Sequence, residues 1–116
     1  MFQSLLFAFV IALTFVAQQT PDPAAQFNLG VFYESGQVVE QDFAEAVKWY
    51  LAAAEQELGD AQCNLGLCYQ TGRGVQKSAS EAVKWFIKAA RQGNKTAQHN
   101  LGLHYAAEDV ANNPQA

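Results

Sequence analysis

Residues 61–75 read AQCNLGLCYQTGRGV, and the same pattern stands as AQFNLGVFYESGQVV at 25–39 and, shortened, as AQHNLGLHYA at 97–106. The three copies are offset by 36 residues, with no insertion between them. A fixed period between about 20 and 50 residues is typical of stacked helical repeats, in which each unit covers the apolar face of its neighbour. The sequence therefore predicts an all-α solenoid of about two and a half helix pairs.

Helix-start and helix-stop signals divide each unit into two helices. Capping boxes at 42–45 (DFAE) and 78–81 (SASE) predict the starts of the second helices. The turns begin at Gly36 and Gly72, where glycine adopts the left-handed conformation that ends a helix. The N-caps expected for the first helices are Asp22, Asp60 and Thr96. The predicted helices are 23–35, 42–57, 61–71, 78–92 and 97–107.

Small and large residues alternate along the second helices of the two complete units. Ala46, Trp49 and Ala53 match Ala82, Trp85 and Ala89 at the 36-residue offset. Aromatic residues at helical spacing usually supply buried area, so both tryptophans are expected in the core. Small positions such as Gly30 and Gly66 are expected to receive a ring from the neighbouring helix.

The run A-x-x-x-L-G-x-x-Y-x-x-G-x-G-V, followed by A-x-x-W-x-x-x-A-A, resembles the Sel1-like repeat, a relative of the tetratricopeptide repeat. Residues 61–96 carry the whole pattern, whereas 25–60 has Val38 and Glu57 at two glycine positions. The resemblance implies a right-handed α/α superhelix of antiparallel helix pairs and a scaffold or adaptor function. The expected segments are a repeat domain at 21–107, with units 25–60 and 61–96 and a half unit at 97–107, and a disordered tail at 108–116.

The N-terminus is apolar from Phe2 to Ala17, and its core, Leu5 to Val16, has the length of a signal-peptide core. A leader at 1–20 therefore favours export and a periplasmic or secreted location. No Lys or Arg precedes the core. An uncleaved membrane anchor and a first helix packed on the repeats consequently remain alternatives, and membrane contact is expected only if the leader is uncleaved.

Charge is divided unevenly between the two complete units. Residues 25–60 carry seven acidic side chains against one lysine, and residues 61–96 carry six basic side chains against one acidic, within a net charge of −4. Ion pairs between neighbouring units, such as Glu55 with Arg91, explain this pattern, and weak head-to-tail association of a polar rod is the alternative. The negative net charge argues against binding to nucleic acid.

Catalytic and metal-binding patterns are weak in this chain. Cys63 and Cys68 are five residues apart on one predicted helix, about 140° around its axis, so they cannot bridge each other. His99 and His104 occupy the same two repeat positions with the same spacing, whereas helical ligand pairs converge at about three or four residues. We therefore expect no enzyme activity, no metal and no cofactor.

A binding surface is expected on the face of the first helices that is turned away from the core stripe of Ala25, Leu29 and Tyr33. Asparagines recur there beside apolar residues, and an amide can both donate to and accept from a peptide backbone. A purely structural role for these columns is the alternative. The candidate residues are Phe27, Asn28, Val31, Cys63, Asn64, Leu67, His99, Asn100 and Leu103.

The sequence thus predicts a non-enzymatic protein–protein interaction module of the bacterial envelope, with a protein or peptide as its partner. Two further interpretations stay open. One is an immunity or inhibitor protein that acts against a secreted effector. The other is an enzyme accessory or hydrolase-like protein.

Overall fold

The chain forms α-helices that stack along one direction. The computed structural model describes residues 2–19 and 22–112. Helices α2 and α3 form one pair, α4 and α5 form the next, and α6 packs on α5 as the first helix of a third unit. The stack measures 61 × 24 × 21 Å, and the predicted all-α solenoid is confirmed. The helices are α1 (Phe2–Gln19), α2 (Pro23–Ser35), α3 (Phe43–Glu55), α4 (Gly59–Thr71), α5 (Ala79–Arg91) and α6 (Lys95–Asn112).

Most of the predicted helix ends are confirmed. The side chains of Asp42 and Ser78 accept hydrogen bonds from the backbone N–H three residues later, at 3.1 and 3.2 Å. Asp22 caps α2 in the same manner, at 3.0 Å from a backbone N–H two residues later. Gly36 and Gly72 end α2 and α4 with φ of 69° and 77°, the left-handed conformation that glycine adopts without strain.

Two of the predicted N-caps are wrong. Asp60 and Thr96 lie inside helices that begin two residues earlier than expected, at Gly59 and Lys95. The chain after each preceding helix reverses at a residue with positive φ, 65° at Glu57 and 87° at Gly93. Only one residue then remains before the next helix begins. Before α6 this residue is an asparagine, whose side chain accepts a hydrogen bond at 2.9 Å from the backbone N–H three residues later.

The last helix is longer than predicted. α6 continues to Asn112 instead of ending at 107, so the first five residues of the expected disordered tail are helical. The added stretch, EDVAN at 108–112, contains neither glycine nor proline, the residues that most disfavour helix. Residues 113–116 lie outside the described residues.

Each complete unit is closed by an aromatic ring that packs directly against a helical glycine. A Cβ added to Gly30 would lie 2.5 Å from the ring of Tyr50, and one added to Gly66 would lie 2.7 Å from the ring of Phe86. Tyr50 and Phe86 are each only 1 % exposed. The rings that enter the glycine positions therefore come from the residues immediately after the two tryptophans.

The tryptophans lie beside this contact. Trp49 is 8 % exposed and packs with Ala25 and Leu29, as expected for a core residue. Trp85 is half-buried, packs against the central core, and has the Nζ atom of Lys88 at 4.9 Å from its ring centroid. Trp85 therefore shares its ring between the core and the surface.

The departure from the repeat pattern at Val38 has a packing reason. In the second unit Gly74, with φ of 73°, lies directly against the backbone of Phe43 at the start of α3, which leaves no room for a side chain. The equivalent turn in the first unit follows α2 and packs near α1 instead of against another repeat in the described residues. Val38 there is half-buried against the cluster of Val10 and Leu29.

Helix α1 packs on α2 at the N-terminal end of the stack. Val10 is 3 % exposed, and the rings of Phe9 and Phe32 meet edge to face with 6.3 Å between centroids. This position corresponds to the packed first helix among the three expectations for the leader. Among the residues that the structure describes, no helix combines the length and the hydropathy needed to cross a membrane. Among the side chains of α1 that the structure describes, the large apolar ones left exposed are Leu5, Phe7, Phe9, Ile11 and Phe15.

Candidate functional site

Two of the three predicted columns reach the surface. In the amide column Asn28 is exposed, while Asn64 and Asn100 are half-buried. In the apolar column Val31 is 37 % exposed and Leu103 is 56 % exposed, and Leu67 between them is half-buried. Asn64 and Leu67 thus lie at the middle of the stack, where both neighbouring units contribute side chains.

The third predicted column, Phe27, Cys63 and His99, faces the second helix of its own unit. Phe27 stacks on Tyr50 of α3, with 5.8 Å between ring centroids. Cys63 is 3 % exposed in a cluster with Phe86 of α5. The assignment of Cys63 to an accessible surface is therefore wrong, because the second helix of the pair covers this position. His99 is exposed, since no second helix follows α6 within the described residues.

A polar cluster that sequence reasoning missed joins the two complete units. The hydroxyl of Tyr50 donates a short hydrogen bond to the carboxylate of Glu34 on α2. The Nη1 atom of Arg73, in the turn after α4, lies 3.9 Å from Oε1 of the same carboxylate. The Arg73 guanidinium also lies 5.6 Å from the ring centroid of Phe43. Glu34 of α2 therefore contacts α3 of its own unit through Tyr50 and the turn after α4 of the next unit through Arg73.

This ion pair replaces the one expected from the charge pattern. Glu55 and Arg91 form no salt bridge in the part of the chain that the structure describes, and both side chains are exposed. The ion pair that does connect the two units there is that of Glu34 and Arg73. The opposite charges of the units therefore meet at the end of the first helices.

Burial in this cluster raises the pKa of two side chains. Burial raises the pKa of the Tyr50 hydroxyl well above its usual range; the hydrogen bond to Glu34 and the charge of that carboxylate add to the rise, and a hydrogen bond from Asn64 opposes it. Burial also raises the pKa of the Cys68 thiol to about 11, with a further rise from Glu34 and a decrease from Arg73. Cys68 is therefore a protonated thiol at neutral pH and not a ready nucleophile.

The cluster lines a cleft at the junction of the two units. The cleft has a volume of about 650 Å³, and the predicted residues Val31 and Asn64 contribute to its wall. A smaller extension of about 150 Å³ beside it is lined by Leu67, Glu34 and Arg73. We call these two spaces together the junction cleft. Its principal side chains are Val31, Glu34, Phe43, Tyr50, Asn64, Leu67 and Arg73.

A difference between the repeats could have indicated this cluster. Tyr50 and Glu34 occupy the positions of Phe86 and Gln70 in the second unit, so the hydroxyl and the carboxylate are gained together. A buried hydroxyl needs an acceptor, which makes such a paired exchange a sign of contact between the two positions. The exchange at these two repeat positions is therefore a signal, present in the sequence, that locates the cluster.

The cysteines and histidines do not come together. Cys63 and Cys68 are both buried free thiols. Burial raises the pKa of Cys63 too, with a smaller contribution from the charge of Asp60. Within residues 2–19 and 22–112, no group of three or more His, Cys, Asp and Glu side chains is placed to hold a metal ion.

Comparison with known families gives a match to the Sel1 repeat model over residues 23–58, 59–94 and 95–115. Its unit boundaries lie two residues before those read from the sequence, and the period of 36 is the same. The comparison with curated proteins found no significant match.

Solved structures from three bacteria are similar to this chain. A Sel1 repeat protein from Oxalobacter formigenes is 46 % identical with a TM-score of 0.69, over 71 % of this chain and 33 % of that one. A protective antigen of uropathogenic Escherichia coli strains, with an SLR fold, is 42 % identical with a TM-score of 0.77, over 80 % of this chain and 20 % of that one. The chain thus spans a third or less of these two proteins. Helicobacter pylori cysteine rich protein B is 32 % identical with a TM-score of 0.73, over 84 % of this chain and 71 % of that one.

The buried hydroxyl of Tyr50 predicts a decline of stability in alkali. A raised pKa in the folded state means that the unfolded chain releases the proton first, so the stabilisation is complete below about pH 10 and is lost as the pH rises towards the folded value. Cys68 adds a loss in the same direction between about pH 9 and its folded value of about 11. We expect the free energy of unfolding, from urea titrations, to fall steadily over this range.

The matched control is Tyr50→Phe, because the second unit carries phenylalanine at the same position. This variant should cost about 0.5 to 1.5 kcal/mol at neutral pH for the lost hydrogen bond, and its stability should fall less steeply in alkali. Parallel pH profiles for the two proteins would show that Tyr50 ionises normally in the fold.

Proposed function

The chain belongs to the Sel1 repeat family, and from this premise we propose that it is a non-enzymatic module that binds a protein or peptide in the junction cleft. Proteins of this family are generally scaffolds for protein–protein interaction. The observation that supports the cleft as the binding site is the meeting of apolar, amide and guanidinium groups around one opening.

Arg73 provides the charged contact in this proposal. Its side chain is 56 % exposed, and its ion pair with Glu34, at 3.9 Å, is long. A guanidinium has five N–H donors, so donors remain for a carboxylate or a backbone carbonyl of the partner. Stacking beside the ring of Phe43 restricts the side chain to the edge of the cleft.

Asn64 and the apolar column provide the uncharged contacts of the proposed binding site. The Asn64 amide can donate to and accept from an extended peptide backbone, which fits a partner segment of any sequence. Val31 and Leu67, which also line the junction cleft, offer apolar area that becomes buried when the partner binds. The partner segment is therefore proposed to combine an apolar side chain with a carboxylate or backbone carbonyl that accepts from Arg73.

Alanine variants of the cleft should weaken binding. Arg73→Ala and Asn64→Ala should each lower affinity for the captured partner by about fivefold or more, the usual loss at central interface residues. The partner is first captured on the chain from bacterial envelope extract, and its affinity is then measured by calorimetry.

The matched controls are Lys84→Ala and Lys88→Ala, which remove exposed charges on α5 away from the cleft. They should change the salt dependence of binding and its association rate more than affinity. All four variants must first show an unchanged thermal melt. Normal binding by the folded cleft variants, together with loss in the lysine variants, would place the site on α5 instead.

A location in the bacterial envelope is part of this proposal. It is supported by the apolar core at 5–16 of the leader, and the similar structures come from bacteria. Removal of the leader would uncover the apolar cluster of Ala25, Leu29 and Trp49, which Val10 covers. The folded module would then present a second apolar surface at its N-terminal end.

Intact-mass measurement of the protein recovered from the expressing cell tests the location. We expect a chain that begins between Gln18 and Pro21, because signal peptidase cleaves after a core of this length. An intact chain from Met1 in the cytosolic fraction would contradict export. An intact chain in the membrane fraction would support the uncleaved anchor.

A further inference from the structure

The face of α6 that corresponds to the covered face of α4 has no partner in the described residues. In α4 this face is closed by α5, with Cys63 at 3 % exposure and Gly66 against the ring of Phe86. At the equivalent positions of α6, His99 is exposed and a Cβ added to Gly102 would meet nothing within 4 Å. The open face of α6 consists of Lys95, His99, Gly102, Tyr105, Ala106 and Asp109.

We propose that this open face binds the same face of a second copy of the chain, so that two α6 helices pack antiparallel about a two-fold axis at Gly102. An isologous contact of this kind is closed and self-complementary. It goes beyond the proposed binding of a partner, and it uses neither the junction cleft nor the leader.

The charges on the open face select this arrangement. Lys95 and Asp109 stand seven residues before and after Gly102, and both are exposed. An antiparallel pair centred on Gly102 places Lys95 of each copy opposite Asp109 of the other, whereas a parallel pair would place like charges together. Antiparallel helices also align their dipoles favourably.

The remaining residues of the face are complementary in size. The same two-fold axis pairs His99 of one copy with Tyr105 of the other, so that two flat rings meet on each side of the crossing point. At the crossing, Gly102 and Ala106 allow close approach of the two backbones. Tyr105 is 47 % exposed in the single chain, which leaves ring surface to bury in the dimer.

The contact is small, so the dimer is expected to be weak. An 18-residue helix is about 27 Å long, and one helix face buries less than the standard protein–protein interface of about 1,600 Å². Contacts below that size are typical of weak, transient association, and we expect a dissociation constant on the order of tens of micromolar.

Analytical ultracentrifugation of the full chain tests the proposal. The protein concentration is varied between about 5 and 500 µM, a range that brackets the expected dissociation constant. We expect a shift from monomer to dimer across the range. In Gly102→Ala the thermal midpoint should rise by a few degrees, since alanine favours helix at an open position. The same methyl group at the crossing should weaken the dimer about tenfold or more, so stability and association should change in opposite directions.

Charge exchange supplies the second test. Lys95→Glu and Asp109→Lys should each weaken the dimer, and the double variant should restore it because the opposed pair is recreated with reversed sign. Lys88→Glu, an exposed charge reversal on α5, is the matched control and should leave the dimer unchanged. A monomer at all concentrations would overturn the proposal. So would association that persists in Gly102→Ala and in both single variants, since it would then use a surface other than the open face of α6.

Discussion

The contact between a helical glycine and an aromatic ring determines how the two helices of each unit approach each other. Tyr50 and Phe86 occupy the space that a Cβ would need at Gly30 and Gly66, so each first helix lies with its backbone against the ring of its second helix. Interiors packed at this density tolerate little added volume. The spacing of the helix pairs, and with it the register of every side chain between units, depends on this contact.

The junction cleft is a consequence of the same ring. Tyr50 carries a hydroxyl where Phe86 has none, and the buried hydroxyl requires an acceptor, which Glu34 supplies. The carboxylate in turn draws Arg73 from the next unit to the edge of the cleft. Core packing in the first unit thereby sets the position of the most exposed charged group in the proposed binding site.

The sequence predicted the fold in detail and the site in part. Agreement between repeats located the helices, because the positions that recur are those that pack, and the left-handed Gly36 and Gly72 followed from the same pattern. That agreement does not determine which face a column presents: the column of Cys63 is predicted to face outwards, yet the following helix covers Cys63. Arg73 and Glu34 were missed because their contact joins two units across a turn, and periodicity carries no information on such pairs.

The most direct measurement of the central claim is a double-mutant cycle between Gly66→Ala and Phe86→Leu, with unfolding free energies from urea titration. If the ring sets the helix spacing, Gly66→Ala should destabilise the original protein by about 1 to 3 kcal/mol. In the Phe86→Leu background the contacting Cε1 and Cζ atoms are gone and the remaining δ-carbons are no longer fixed in a ring, so the same change should be neutral or stabilising by up to about 1 kcal/mol, as helix propensity alone predicts. Equal and additive effects in both backgrounds would contradict the account.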